Sequence, residues 1–321
     1  VDKVPKDTTL NSGVFVIRPI NNSYHPRYFY YVLMSEHFKQ FLGKLTAGST
    51  ISHLYQKDFV HYDFPLPQSL TEQKAIATAL SDVDDLIANL DKLITKKKAI
   101  KQGAMQQLLT PPHKGGKRLT GFTGEWVEKT IKDVVSTPVS DGPHETPKFV
   151  KDGVPFLSVN NIVNNRIDYT NLRHISKEDD IIYSRKCKPT KNDILLGKAA
   201  SVGKVAIVER DWDFNIWSPL ALIRLKSEYN HYFVFYSFQT ERILKQIDFL
   251  TNSSSQGNIG MGDIEKLKIY FPSNKDEQKQ IAETLYIMDK DVEKLELKKA
   301  KYQDIKQGMM QELLTGKIRL V

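Results

Sequence analysis

The segment GKAASVGK at residues 197–204 contains two Gly-Lys pairs, and loops that hold phosphate groups have this kind of composition. A nucleotide-binding loop would need Ser or Thr after its lysine, but Lys204 is followed by Val205, so nucleotide binding is poorly supported. The glycines and lysines of such a turn can instead bring backbone amides to the phosphates of a nucleic acid. We therefore predict that Lys198 and Lys204 contact nucleic-acid phosphates and that Ser201 of the same turn also binds the nucleic acid.

The surrounding residues 183–210 are strongly basic, with seven Lys or Arg residues against two acidic residues, Asp193 and Glu209. A basic patch of this kind is typical of a surface that binds a polyanion, although a solvated basic loop would have the same composition. The predicted phosphate contacts here are Arg185, Lys188, Lys198 and Lys204.

Two polar loops and an Asn-rich turn carry side chains that suit base edges. Ser, Asn and Gln both donate and accept hydrogen bonds, as the recognition of bases or phosphates requires, whereas a plain surface loop is the alternative interpretation. The loops lie in TNSSSQGNIGMGDIEKL (251–267) and in TAGSTISHLYQKDF (46–59), and the turn follows VPFL at 154–157. The candidate contacts are Ser158, Asn160, Asn161, Ser253, Ser255, Gln256, Asn258, Ser49, Thr50, Ser52 and His53.

No set of residues with the spacing of a catalytic or metal site emerges from the sequence. The eight histidines are scattered, without an H-x-x-x-H or H-E-x-x-H pattern, and no carboxylate-lysine nuclease core is discernible. The carboxylates of DVDD at 82–85 fit the solvated face of a helix. A single cysteine, Cys187, excludes an internal disulfide and a Cys-rich zinc site, and favours the cytoplasm. We expect a binding protein that is not an enzyme.

The composition supports a nucleic-acid partner and bounds the architecture. The chain has 321 residues, a net charge of +8 and 40% hydrophobic residues, enough for two modest cores. No run approaches the eighteen or so apolar residues of a membrane span.

These candidate residues belong to an internally duplicated chain. EQKAIATAL (72–80) returns as EQKQIAETL (277–285), and KAIKQGAMQQLLT (98–110) returns as QDIKQGMMQELLT (303–315), both at an offset of 205 residues. Each copy is a variable globular part followed by a long repeated helix. The second copy opens near Gly121, so we expect residues 1–66 to be the C-terminal half of the first globular domain, its front part being absent.

The repeated segments predict two helices of about 38 residues, roughly 57 Å long at 1.5 Å per residue. Their apolar residues alternate in steps of four and three, which is a coiled-coil seam. We predict that the helices pair antiparallel around a pseudo-twofold axis; separate docking of each helix and an intermolecular coiled coil are the alternatives. The predicted seam comprises Ile76, Leu80, Val83, Ile87, Leu90, Ile94, Ile281, Leu285, Met288, Val292 and Leu295.

The predicted class is α+β, with two mixed α/β recognition domains, each followed by one of the long helices. The strands are expected in VPFLSVNNIVNNRIDY, DILLGKAASVGKVAIVER and SPLALIRLK of the second copy. The predicted boundaries are 1–66 (back of the first recognition domain), 67–110 (first helix), 111–120 (linker), 121–271 (second recognition domain), 272–316 (second helix) and 317–321 (tail).

This organisation resembles the specificity subunit of bacterial type I restriction-modification enzymes. The resemblance rests on two variable parts, each followed by a helix that starts with E-Q-K-x-I-A after a proline and closes with IKQGxMQxLLT. RLTGFTGEW, DILLGKAASVGKVAIV and TNSSSQGNIGMGDIEKLKIYFP extend it over nearly the whole chain. The absent front of the first domain departs from the family's pattern.

The resemblance implies a non-catalytic subunit in which each target-recognition domain reads one half of a split DNA site. It also implies two modification (methyltransferase) subunits that bind S-adenosylmethionine and restriction subunits that use ATP and Mg²⁺, with no cofactor in this chain. Two other interpretations stay open. A structural coiled-coil adaptor would bind no DNA, and a self-contained DNA-modifying enzyme would need an N-P-P-Y or carboxylate-lysine motif, which the sequence lacks.

Overall fold

The structure is a computed structural model that describes Thr9, Asn11 and residues 13–46, 53–252 and 257–320. The chain forms two compact units. The first unit consists of residues 1–96 and 292–321, and the second unit of residues 97–291. The unit boundaries therefore fall within the long helices rather than between the linear segments predicted from the sequence.

The helices include two of 39 residues each. They are α1 (Pro26–Leu33), α2 (Glu36–Thr46), α3 (Gln56–Phe59), α4 (Leu70–Leu108), α5 (Ile131–Val134), α6 (Lys177–Ser184), α7 (His231–Phe238), α8 (Glu241–Asn252), α9 (Met261–Lys266) and α10 (Lys275–Leu313). The strands are β1 (Trp126–Thr130), β2 (Ser140–Asp141), β3 (Val154–Leu157), β4 (Ile162–Val163), β5 (Arg166–Ile167), β6 (Arg173–Ile175), β7 (Ile194–Gly197), β8 (Val205–Ile207), β9 (Asn215–Ile216), β10 (Leu220–Ile223) and β11 (Lys268–Pro272).

The duplication extends to the order and position of the helices. The helices α1, α2, α3 and α4 each begin 205 residues before α7, α8, α9 and α10 respectively. Both long helices start after a proline and a polar residue that accepts a hydrogen bond from the first turn. Ser69 Oγ accepts from the Glu72 amide at 3.5 Å, and Asn274 Oδ1 accepts from the Asp276 amide at 2.8 Å.

Ion pairs within each unit show that the long helices run antiparallel. In the first unit Asp84 and Asp91 of α4 lie 2.6 Å from Lys306 and Lys299 of α10 respectively, so the numbering rises along one helix as it falls along the other. In the second unit Asp289 of α10 contacts Lys101 of α4. This pair repeats Asp84–Lys306 at the offset of 205, with the roles of the two helices exchanged. The predicted antiparallel pairing is confirmed.

The predicted seam positions are all at least half-buried, but they do not all pack in the same environment. Ile76 and Leu80 join the core of the first unit, beside Tyr28 and Tyr31 of α1 and the end of α10. The equivalent residues of α10 join the core of the second unit. The first residues of each seam therefore pack against a globular part as well as against the other helix.

The second unit contains strands in the three segments where the sequence predicts them. Strands β2, β10, β7 and β8 form a four-stranded antiparallel sheet, and β6, β3 and β9 form a three-stranded mixed sheet. Strand β1 pairs with β11, and β4 with β5. Ile194 and Leu196 of β7 face one core while Leu195 faces another. Both faces of this sheet are buried, which explains its nearly continuous apolar strands.

The aromatic-rich segment HYFVFYSFQTERILKQI (231–247) lies in two helices, α7 and α8, which are separated by Gln239 and Thr240. Asn230 caps α7 by accepting a hydrogen bond from the Phe233 amide at 2.9 Å. The aromatic residues Phe233, Phe235, Tyr236 and Phe238 of α7 are buried in the core of the second unit.

Candidate nucleic-acid interface

The turn between β7 and β8 (residues 197–204) is closed by its own backbone. Amide hydrogen bonds run from Gly197 to Lys204 O and from Gly203 to Gly197 O, at 2.7 and 2.9 Å. A Cβ atom at Gly197 would lie 2.4 Å from the Ser201 carbonyl oxygen, so this position requires glycine. The Lys198 and Lys204 amides also donate within the protein, to Pro219 O and Ser201 O, so the amides of the turn's glycines and lysines are already bonded and do not face a phosphate as expected.

Three other segments meet this turn. The Ile259 amide donates to Lys198 O at 2.9 Å, which joins the residues after the polar loop to the turn. The Val159 side chain lies beside Gly197, where an added Cβ atom would be 3.0 Å from Val159 Cγ2. Lys198 Nζ reaches Asp141 at 3.0 Å. The structure therefore brings together the predicted turn, the Asn-rich turn, the residues that follow the polar loop, and strand β2.

The predicted base contacts differ in how far their hydrogen bonds are already used. Ser158 caps a short 3-10 turn, and its amide and hydroxyl donate to Asn161 Oδ1 at 3.0 and 3.3 Å. Asn160 and Lys204 are exposed, whereas Ser201 and Asn258 are half-buried. His53, in the first unit, is exposed beside the Tyr55 ring. Ser49, Thr50, Ser52, Ser253, Ser255 and Gln256 lie outside the described residues.

The predicted phosphate contacts also lie in different environments. Arg185 is exposed immediately after α6. Lys188 is held between two carboxylates, with its Nζ 2.9 Å from Asp180 and 2.7 Å from Asp213. Burial alone would lower the pKa of Lys188, but these two partners outweigh it and raise the pKa above the ordinary value. Its charge is therefore balanced within the protein, and its contact with a nucleic acid stays a prediction.

Sequence reasoning passed over the residues around Asp141, which is fully buried. Lys186 contacts Asp141 Oδ1, while Lys198 Nζ and His144 Nε2 lie 3.0 and 3.1 Å from Oδ2. Burial alone would raise the pKa of Asp141, but Lys186 and Lys198 outweigh it and hold the pKa below its usual range. The Asp-Gly-Pro-His run at 141–144 was the available signal, since Asp-Gly and Gly-Pro pairs mark tight turns.

The described part of the chain lacks two features that would point to another kind of function. No helix there is long and apolar enough to cross a membrane. No group of three or more His, Cys, Asp or Glu side chains there has the geometry to hold a metal ion.

Comparison with known proteins gives the family of the chain. A family model for the type I restriction modification DNA specificity domain matches residues 3–102 and again residues 123–307. The chain belongs to this specificity-domain family. The two matched segments correspond to the two copies found in the sequence.

Individual relatives of this specificity chain agree. It is 31% identical to the type I restriction enzyme MjaX specificity subunit of Methanocaldococcus jannaschii, over 96% of this chain and 72% of that one. It is 28% identical to the MjaVIII specificity subunit of the same organism, over 98% and 75%. The EcoBI specificity subunit of Escherichia coli is 29% identical over 68% of this chain and 49% of its own length.

Solved structures share the fold of the specificity chain. The type I restriction-modification S subunit from M. genitalium has a TM-score of 0.62 at 18% identity, covering 90% of this chain and 72% of that one. A chain from a study of complex assembly and conformational transition in a type I R-M system has a TM-score of 0.60 at 16% identity, covering 94% and 74%.

The repeated E-Q pair of this specificity chain joins helix and globular part in each unit. Gln73 accepts a hydrogen bond from the His25 amide at 2.7 Å and donates to Pro67 O at 2.7 Å. Gln278 accepts from the Asn230 amide at 3.2 Å and donates to Pro272 O at the same distance. The two glutamines thus bind the residues that immediately precede α1 and α7 in the same way.

The glutamates of these pairs tie each helix start to residues that follow the other long helix. Glu72 of the first unit accepts two hydrogen bonds from the Arg319 guanidinium, one of them 2.6 Å long. Glu277 of the second unit accepts from Arg118 at 2.6 Å. Both glutamates are buried, so each guanidinium balances a charge that water cannot reach.

Proposed function

We propose that this chain selects the DNA target of a type I restriction-modification enzyme. Each globular part reads one half of a bipartite site, and the paired helices set the distance between the halves. The single observation that carries the proposal is a set of contacts that occurs once in each unit, and we call each set a joint. Each unit ties one globular part to the start of one long helix and the end of the other through equivalent glutamine, glutamate and aspartate contacts.

The second unit supplies the chemistry for DNA reading. Four segments converge there, and they carry exposed polar and cationic side chains such as Asn160 and Lys204. A DNA-binding surface needs cations for the phosphates and amide or hydroxyl groups for the base edges. The net charge of +8 supports the same partner.

The chain acts without catalysing a reaction of its own. Modification subunits supply S-adenosylmethionine-dependent methyl transfer, and restriction subunits supply the ATP- and Mg²⁺-dependent steps. The number of modification subunits, two, equals the number of equivalent joints, one in each unit. The complex works in the cytoplasm, where the DNA lies. The names of the relatives, which are specificity subunits, support this division of labour.

Filter binding of the full chain to random duplex DNA at several salt concentrations tests the proposal. Phosphate contacts release counterions, so the logarithm of the binding constant should fall steeply with the logarithm of the salt concentration. A structural adaptor that reads no DNA would bind weakly or not at all under every condition. Sequencing of methylated sites made by the assembled complex should then give a bipartite target.

A further inference from the structure

The cluster around Asp141 carries more positive charge than its carboxylate can balance. Lys198 Nζ and His144 Nε2 lie 3.0 and 3.1 Å from Asp141 Oδ2, and Lys186 Nζ contacts Oδ1. Two lysines contribute two positive charges against one negative charge, and a protonated His144 adds a third. The cluster is therefore net positive in either protonation state of the histidine.

The excess charge is available on one side of the cluster only. The Asp141 side chain is fully buried and the Lys198 side chain is 12% exposed, so these two form the interior of the cluster. The side chains of Lys186 and His144 are 50% and 67% exposed. An anion that approaches from solvent would therefore meet Lys186 and His144.

The backbone that carries His144 is fixed on both sides. A Cβ atom at Gly142 would lie 1.8 Å from the Ile216 carbonyl oxygen, so only glycine allows this close approach. The Pro143 carbonyl oxygen accepts a hydrogen bond from the Ser218 amide at 3.2 Å. The main chain of residues 141–144 is thus held against β9 and the residues that follow it.

We propose that His144 and Lys186 bind a phosphate of the DNA backbone, and that Asp141 is a positioning residue for them. This inference rests on the proposed function. The Lys186 ammonium has three donors, of which the Asp141 contact uses one. A protonated His144 ring also donates from both nitrogens, so Nδ1 can reach a phosphate oxygen while Nε2 faces Asp141. Asp141 itself touches no DNA.

The role of Asp141 can be separated from general electrostatics by the direction of one effect. Asp141→Asn raises the net charge of the chain by one. If the Asp141 carboxylate merely repelled DNA, the chain would bind DNA more tightly after its removal. A positioning carboxylate predicts the reverse, because Lys186 and His144 lose the group that holds them in place. Asp141→Asn should therefore weaken binding about as much as the loss of one phosphate contact.

Salt-dependent binding of the full chain to a random-sequence duplex is the measurement. His144→Ala and Lys186→Ala should each lower the salt slope by about one unit and weaken binding roughly five- to tenfold near 0.1 M salt. Both side chains are exposed, and unchanged thermal melting will show that the variants are folded. Lys132→Ala removes an exposed charge on α5 and should have a smaller effect on the slope.

The outcomes separate this site from the proposed function. If the parent chain binds duplex DNA and both alanine variants retain its slope, the phosphate site is wrong while DNA binding stands. Tighter binding by Asp141→Asn would reject the positioning role. If the parent chain binds no duplex at any salt concentration, the proposed function and this site are rejected together.

Discussion

Asp84 accepts a hydrogen bond from the Tyr31 hydroxyl at 2.8 Å, and Asp289 accepts the same bond from Tyr236 at 2.8 Å. Each aspartate also pairs with a lysine of the other long helix, Lys306 or Lys101. One carboxylate therefore ties a globular part to both helices. Burial is the main cause that raises the pKa of Tyr31 to about 12, and the hydrogen bond to Asp84 raises it further.

Replacement of Asp84 by Ala tests this joint in the first unit. The change leaves the buried Tyr31 hydroxyl without its acceptor and Lys306 without its counterion, so we expect a loss of about 1–3 kcal/mol in the free energy of unfolding. Urea unfolding would measure it. Asp82→Ala, at an exposed position of the same helix, is the matched control and should cost less than about 0.5 kcal/mol. Equal losses in the two variants would contradict the joint.

Aspartate at two seam positions tests the helix pairing. Ile87 is half-buried and Val292 is buried, so Ile87→Asp with Val292→Asp should cost several kcal/mol, since both changes bury charge in an apolar seam. Leu93→Asp with Leu297→Asp makes the same change at side chains that are 40% and 67% exposed on the same helices. Only the seam variant should lower the urea midpoint strongly. A control as destabilised as the seam variant would show that helix propensity, and not pairing, is responsible.

The Glu72–Arg319 pair predicts a specific acid sensitivity. Hydrogen bonding from Arg319 is the main cause that holds the pKa of Glu72 below its ordinary value of 4.5. Because folding lowers this pKa, the pair stabilises the folded chain above about pH 4.5 and the contribution is lost as the pH falls through the lowered value. Arg319→Gln should be less stable at neutral pH and should lose less stability on acidification. Parallel stability profiles for the variant and the parent would exclude this contribution.

Cys187 should be unreactive in the folded chain. It is buried, and burial, as the largest cause, raises the pKa of its thiol from 9.0 to about 11. At about pH 8 this shift alone lowers the thiolate fraction roughly a hundredfold, and the lack of access slows modification further. The rate of reaction with a thiol reagent, before and after denaturation, measures the difference. Comparable rates in the two states would contradict the buried position.

A matched insertion in the two long helices tests whether they set the gap in the DNA site. Asp91 pairs with Lys299, so insertions after Asp91 and after Lys298 lie at the same level and leave the pairs on either side in register. Seven residues keep the heptad seam and add about 10 Å at 1.5 Å per residue, close to three base-pair steps of about 3.4 Å. Methylated sites should keep their half-site sequences and gain about three base pairs between them. An unchanged gap in an active complex would assign the distance to another part of the enzyme.

The sequence by itself determined the duplication, the two long helices and the face of each helix that is apolar. The offset of 205 residues follows from residue identity, and the heptad seam follows from spacing, so neither needs knowledge of the partner surface. The strands DILLG and KVAIV were predictable for the same reason, since short apolar runs around a glycine-containing turn indicate a hairpin.

Only the tertiary structure decided which groups those faces meet. Spacing could not show that Ile76 and Leu80 pack into a globular core beside the end of α10, because that core is assembled from residues far apart in the sequence. VFVIRP at 14–19 resembles LALIRL at 220–225, yet only the second copy forms a strand among the described residues. Strand β10 has β2 and β7 as hydrogen-bond partners, and a strand is stable only when such partners are present.

In the candidate site too, the sequence predicts some features and only the tertiary structure decides the others. Composition identified Lys198, but charge along a sequence does not show which carboxylate a lysine will face. The fold places Asp141 beside Lys198 although 57 residues separate them, and it brings in His144 and Lys186, which composition did not single out. Ion pairs and turns of this kind depend on distances in space, and those distances are fixed only when the strands pair and the core closes.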